Sequence, residues 1–306
     1  MTSLVFALSI IFFSFIHLCV YTFPVDENEP IDLSTLGSSV FGEPDAKIGE
    51  ILRNWKSGEN QSNPEEFGSY FEGDILIPKS QSTNSRNGMV AQAYRWPNAV
   101  IPYEITGSFD SRSINLIENA MKMYHQKTCI KFQRRTAKDR DYISIQNAQS
   151  GCWSSIGRIG GAQTVNLQSP ACTTLLGTVL HEFMHSAGFL HEQNREERDQ
   201  YININYQNIQ RGFESNFVKA QKGSTSGFGV GYDYGSVMHY SATAFSVNGQ
   251  PTIVTKSKSN IGQRDGFSQK DIQKLNNMYQ CKRKNSKNST TSNSNPILDM
   301  LGIGSS

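Results

Sequence analysis

Little in this chain points toward nucleic-acid or phosphate chemistry. Its 29 Lys and Arg against 27 Asp and Glu leave a formal charge of +2 over 306 residues, without the overall basic surplus of a nucleic-acid binder. The short cluster Lys282, Arg283, Lys284 and Lys287 reads as solvated tail, with a polyanion or extracellular-matrix contact as the alternative. Residues 223–231 are rich in glycine but contain neither a GxGxxG nor a P-loop pattern, which excludes the usual phosphate cradles. The five cysteines include no CxxC pair, and that argues against a zinc site made of thiolates. Past the amino terminus no segment is long and apolar enough to cross a bilayer, which takes roughly 20 residues. No stretch repeats at a fixed period. What remains is a 37% hydrophobic share, enough for a sizeable core.

Residues 4–20 form an apolar run with a few polar interruptions, followed by Pro24 and the acidic Asp26, Glu27 and Glu29. This reads as a signal peptide over residues 1–22 and predicts a secreted protein. No Lys or Arg precedes the run, so an uncleaved amino-terminal anchor is the alternative. Cys19 would leave with the signal, and Cys129, Cys152, Cys172 and Cys281 remain as an even set for an oxidising compartment. Sequence alone allows three pairings of four cysteines. Charge reverses along the chain: residues 24–86 hold twelve acidic and five basic side chains, a net of −7, and residues 87–281 hold twenty basic and fourteen acidic, a net of +6. Two such parts attract. Residues 282–306 shift to Lys, Ser, Asn and Thr and read as a disordered basic tail. Asn60 and Asn288 each begin an N-glycosylation acceptor.

The densest chemistry lies in residues 181–191, HEFMHSAGFLH. Residues four apart share a helix face, so His181 and His185 can offer ring nitrogens to one metal ion, with Glu182 beside them. Gly188 can take the positive φ that ends the helix, and the turning chain then brings in His191. Three protein ligands leave the fourth position of a tetrahedral zinc open to water, the mark of a catalytic site. Chance occurrence of the five-residue core on an amphipathic helix is the competing explanation. The apolar residues Leu175, Leu176, Val179, Leu180, Phe183, Met184, Ala187 and Leu190 recur at helical intervals around the ligands, as in a buried active-site helix. Elsewhere, residues 114–125 read as a helix capped by Ser108 or Asp110, and Tyr142–Gln146 and Ala162–Leu167 alternate like strands. The coarse pattern is α+β.

HExxHxxGxxH followed by Glu192 resembles the zinc signature of the metzincin proteases, in its astacin branch. YGSVMHY at residues 234–240 resembles that family's Met-turn, and Phe71, Glu72, Gly73 and Asp74 resemble the FxGD element of astacin propeptides. The resemblance implies a catalytic domain over residues 87–281, with two subdomains, a mixed sheet and an active-site helix around a zinc cleft. It also implies an inhibitory propeptide over residues 23–86, in which Asp74 occupies the open zinc position. Met238 would underlie the metal and Tyr240 would face it; Gly188 ends the helix. The implied disulfides are Cys129–Cys281 and Cys152–Cys172. Activation would fall at Arg86 and Asn87, by a trypsin-like protease, and the new amino terminus would meet Glu192. A strand at Ala162–Leu167 would form the cleft edge that binds substrate backbone.

The implied reaction is peptide hydrolysis by water activated at Zn2+ held by His181, His185 and His191. Glu182 would serve as general base and then acid, and the Tyr240 hydroxyl would stabilise the oxyanion. The family's preference for an acidic residue after the cleaved bond calls for a basic side chain at the cleft, with Lys256 and Arg264 as candidates. The expected partners are protein or peptide substrates and the activating protease, with no nucleic acid, and the expected state is a monomer. The competing class is a catalytically silent secreted binding or toxin-like protein that retains the fold, and an intact Glu182 argues against it. Matrixins and reprolysins suit Tyr240 and the FxGD segment less well.

Overall fold

The computed structural model describes residues 40–58, 62–79, 95–220 and 226–282. The signal peptide over residues 1–22, the Arg86–Asn87 bond, Asn60, and the tail from residue 283 onward fall outside the described residues. In the acidic amino-terminal part, the strands β1 (Phe41–Gly42) and β2 (Ile77–Pro78) pair in parallel. Helix α1 (Ala46–Leu52) starts at Asp45, whose side chain accepts the Lys47 N–H. Ile48 and Leu52 of α1 are buried in the main core, so this part is packed onto the remainder.

The main sheet has the order β4-β3-β5-β7-β6. Strands β3 (Val100–Ile105), β4 (Lys131–Arg134), β5 (Tyr142–Gln146) and β7 (Ala162–Leu167) run parallel, and β6 (Cys152–Ser154) pairs antiparallel with β7. Helix α2 (Ser111–Lys127) begins where Asp110 accepts the Ser113 N–H at 2.7 Å. This cap satisfies one of the first orphan donors of the helix. Ile117, Ala120, Met121 and Tyr124 of α2 share one core with Ile101, Ile143, Ile145 and Val165 of the sheet and with Val179, Leu180 and Phe183 of α3 (Leu176–Ser186). Burial of such side chains contributes about 1.5–3 kcal/mol each.

The alternation in β7 has a different cause from a solvent-facing side. Its polar residues are buried too, and they brace the loops on either side of β6: Asn166 Nδ2 donates to the carbonyls of Ala148 and Gly151, and Gln163 Nε2 donates to that of Gly157. β7 is therefore an inner strand, and the edge at the cleft is β6. This corrects the reading that Ala162–Leu167 itself forms the edge. The disulfide Cys152–Cys172 ties that edge strand to the turn before α3, and Cys129–Cys281 joins the end of α2 to the end of the described chain.

A second cluster, with Ile202, Phe217, Tyr232, Tyr240, Phe245 and Ile253, lies around β8 (Ile202–Ile204) and β9 (Ile253–Thr255), which pair antiparallel. Helix α4 (Gln269–Met278) returns Leu275 and Met278 to the main core. The α+β fold thus has two subdomains, and the histidines lie where they meet. Among the described residues no helix is long and apolar enough to cross a membrane.

Candidate active site

Helix α3 is buried from Gly177 to Ser186. It stops in a Schellman turn: the Gly188 N–H bonds to the His185 carbonyl at 2.8 Å, the Phe189 N–H bonds to that of Met184 at 3.1 Å, and Gly188 has φ +113°. That turn does two things. It sends the chain back toward His191, and it points the Phe189 carbonyl at His185 Nδ1, 2.7 Å away. His181 Nδ1 meets the Val237 carbonyl at 2.8 Å, and His191 Nδ1 meets Glu72 Oε2 at 2.8 Å. Facing an oxygen, each Nδ1 can donate its proton there, which leaves Nε2 as the nitrogen that can bind a metal.

Those three nitrogens converge. His185 Nε2 is 3.0 Å and His191 Nε2 3.2 Å from His181 Nε2, and Asp74 Oδ2 lies 3.0 Å from His181 Nε2 and 3.3 Å from His191 Nε2. Asp74 Oδ1 is 3.3 Å from His185 Nε2. Asp74 and the three histidines are buried together as a group of metal-ligating side chains whose donor atoms all lie within 4.8 Å. Acceptors packed this tightly repel unless a cation sits among them, and three imidazoles with a carboxylate suit zinc. The electrostatics agree. Burial opposes charge on His191, yet the Asp74 and Glu72 carboxylates overcome it and raise its pKa to about 9, while burial takes His181 down to about 4. Despite its burial, Asp74 is held well below the usual carboxylate range by His191 and His185. The site calls for positive charge at its centre.

Glu182 is buried beside this group, and neither of its carboxylate oxygens has a hydrogen-bond partner among the described residues. Burial, then the nearby Asp74 and Glu65 carboxylates, push it well above the usual range. The Glu182 carboxylate is thus more basic than an ordinary glutamate.

The remaining sequence candidates fall in different places. Met238 is buried on the turn that presents the Val237 carbonyl to His181. The Tyr240 ring lies 4.6 Å from that of His191, but its hydroxyl donates to the Glu72 carbonyl at 2.5 Å. Glu192 already has cationic partners, Lys274 Nζ at 2.6 Å and Arg195 Nη1 at 3.1 Å, and it accepts the Asp233 N–H. These cations hold its pKa below the ordinary value in spite of burial. Its charge is thus compensated without an amino-terminal ammonium, and burial alone does not demand that partner. Lys256 Nζ donates to the Asp199 carbonyl on another turn. Arg264 is buried, with Nε on Glu65, Nη1 on the His239 and Gln263 carbonyls, and Nη2 unpartnered among the described residues.

The amino-terminal part fills the cleft. The Ser154 N–H bonds to the Asp74 carbonyl at 2.9 Å and the Leu76 N–H to the Ser154 carbonyl at 3.0 Å, so residues 74–76 lie parallel to β6. Glu66 accepts the Ser241 N–H and hydroxyl, each at 2.6 Å. Glu65 and Glu66 do not stand out among the sequence candidates. A signal was present: Asn63-Pro64-Glu65-Glu66 closes a capping box with proline at the first helical position.

The family model described as Astacin, a peptidase family, matches residues 88–280. Zinc metalloproteinase nas-4 of Caenorhabditis elegans is 38% identical over 268 residues, which cover 85% of this chain and 78% of that protein. Zinc metalloproteinase nas-13 of the same species is 43% identical over 228 residues, 69% of this chain, and the match spans about half of the relative, 50%. The solved structure of high choriolytic enzyme 1, a hatching enzyme zinc-protease from medaka (Oryzias latipes), superposes with a TM-score of 0.59 at 36% identity and covers 65% of this chain and 100% of that one. With its histidines, its edge strand and its fold in that register, the chain belongs to the astacin family of zinc metallopeptidases.

Proposed function

We propose that this chain is a secreted zinc endopeptidase made in latent form, and that residues 23–86 are its inhibitory propeptide. The observation that carries this reading is the Asp74 carboxylate, which lies within 3.0–3.3 Å of all three Nε2 atoms. His181, His185 and His191 would hold the metal, with the Asp74 carboxylate beside them in the latent form. Zinc, when bound, supplies Lewis acidity to water and to the scissile carbonyl.

The chain's own groups do the rest. Glu182 takes the proton of the attacking water and returns it to the leaving amine, a role that suits a carboxyl with a raised pKa. Tyr240, once the Glu72 carbonyl has left, turns its hydroxyl to the developing oxyanion. The Ser154 N–H and carbonyl, freed from Asp74 and Leu76, take up a substrate backbone by strand addition. Arg264, freed from Glu65, favours an acidic side chain after the cleaved bond, whereas the Lys256 ammonium is taken up by the Asp199 carbonyl.

The test is to treat the full chain with trypsin and follow casein hydrolysis with and without a zinc chelator. Activity that appears on cleavage between Arg86 and Asn87, and vanishes with the chelator, is the expected result. A cleaved, zinc-loaded chain that leaves casein and broad peptide panels intact would refute the reading.

A further inference from the structure

Two of the three histidines are oriented by the catalytic domain itself, through the backbone carbonyls of Val237 and Phe189. The third is not. His191 Nδ1 meets the Glu72 carboxylate at 2.8 Å, and the His191 N–H points at the same oxygen from 3.4 Å. Glu72 reaches it from a left-handed backbone, φ +46°, followed by Gly73 at φ +84°. A non-glycine residue in that region is held there by its surroundings, and such residues cluster at functional sites. The Glu72 carbonyl is fixed from the other side by the Tyr240 hydroxyl.

We propose that Glu72 is a positioning residue of the metal centre: in the latent form the propeptide completes the outer shell of the zinc site by orienting His191, so that this form holds its metal more tightly than its inner ligands alone would. The proposal rests on the ligand set given above. Charge supports it independently, because the Asp74 and Glu72 carboxylates both face His191, so a cation held by the histidines would lie against two acidic groups. Both carboxylates are nearly enclosed, their side chains 1% and 7% exposed, and buried charge of that kind requires a counter-charge. A carboxylate on the far nitrogen of a ligating histidine fixes its tautomer and raises its basicity, and loss of such a partner typically lowers metal affinity about 10–100-fold.

The experiment measures zinc affinity of the uncleaved full chain by competition with a chromophoric chelator, for wild type, Glu72→Gln, Glu72→Ala and Tyr70→Phe. Tyr70 anchors the same propeptide through its hydroxyl on the Ser150 carbonyl, 2.7 Å, away from the ligands. It therefore reports what looser docking alone does. Expected are a loss of up to about 100-fold for Glu72→Ala, a smaller loss for the nearly isosteric Glu72→Gln, and wild-type affinity for Tyr70→Phe. Visible absorption of the cobalt-substituted chains should shift for the Glu72 variants only. Equal affinity in wild type and both Glu72 variants, or an equal loss in Tyr70→Phe, would overturn the proposal and leave the ligand set standing. A wild-type chain without one zinc per molecule would overturn both.

Discussion

Gly68 offers a sharp test of the proposed latency. A β-carbon at this position would lie 1.7 Å from the carbonyl oxygen of Gly73 and 2.9 Å from its carbonyl carbon. Both are backbone atoms, so no rotamer relieves the contact. The Gly73 carbonyl would have to retreat by at least the difference between 1.7 Å and the 3.0 Å floor of real contacts, about 1.3 Å. The adjoining residue is Asp74, whose carboxylate sits 3.0 Å from His181 Nε2. Gly68→Ala therefore either lifts Asp74 from the histidines or strains the loop that carries it. Gly68 has φ −70° and ψ 150°, open to alanine, so the cost comes from overpacking alone, about 1–3 kcal/mol. Taken from propeptide docking, that corresponds to roughly 5–150-fold more open form at 1.4 kcal/mol per decade. Hydrolysis of a fluorogenic peptide by the uncleaved variant, its integrity checked by mass, should rise over wild type by that factor, while trypsin-treated variant and wild type match once diluted far enough for the freed fragment to dissociate. Gly231→Ala, where nothing lies within 4 Å, is the control. An uncleaved Gly68→Ala chain as silent as wild type would refute the claim that close packing of residues 68 and 73 seats Asp74.

Other outcomes follow from the same contacts. Glu182→Gln should keep its zinc by metal analysis and lose about 10²–10⁴ in turnover after activation. Tyr240→Phe should lower kcat by about 10²–10³ with little change in KM, and equal kcat would remove its hydroxyl from the reaction. Replacing Cys129 and Cys281 by serine opens a closure of 152 residues, worth up to about 5 kcal/mol, against roughly 3 for Cys152–Cys172, whose separation is 20; urea midpoints should fall in that order. Lys274→Met breaks a buried pair with Glu192 and should cost up to about 3–5 kcal/mol, less whatever Arg195 restores. The pH dependence has a definite sign, because Glu192 is depressed from its ordinary 4.5. Its contribution is present above 4.5 and is lost as pH falls through the lower folded value. Urea midpoints measured downward from about pH 5 should drop less in Lys274→Met than in wild type.

The legible parts of the molecule were those with local causes. Helix spacing alone places His181 and His185 together, one glycine turns the chain toward His191, and Asp110 caps α2 three residues before its partner N–H. The less legible parts depend on distant chain. β6 is only three residues, Cys-Trp-Ser, too short for alternation to show, and a strand becomes an edge through what fails to pair with it, which no window of sequence contains. Ala162–Leu167 alternates as a strand should, but only the family resemblance made it the cleft edge, and its polar residues are spent on inner loops. Arg264 is a candidate from the family's specificity alone, and its burial shows only once Glu65, 199 residues away, is seen beside it. Glu192 meets Lys274 across 82 residues.

The seating of residues 74–76 along β6 has a kinetic corollary. None of the contacts that block the cleft, at Asp74, Glu72, Glu66 or Glu65, belongs to the Arg86–Asn87 bond. In the proposed zymogen, scission there would break none of these contacts, so the freed fragment would change from an intramolecular plug into a bimolecular competitor governed by mass action. Freshly cut material should stay quiet when concentrated, wake on dilution, and fall quiet again when the fragment is added back.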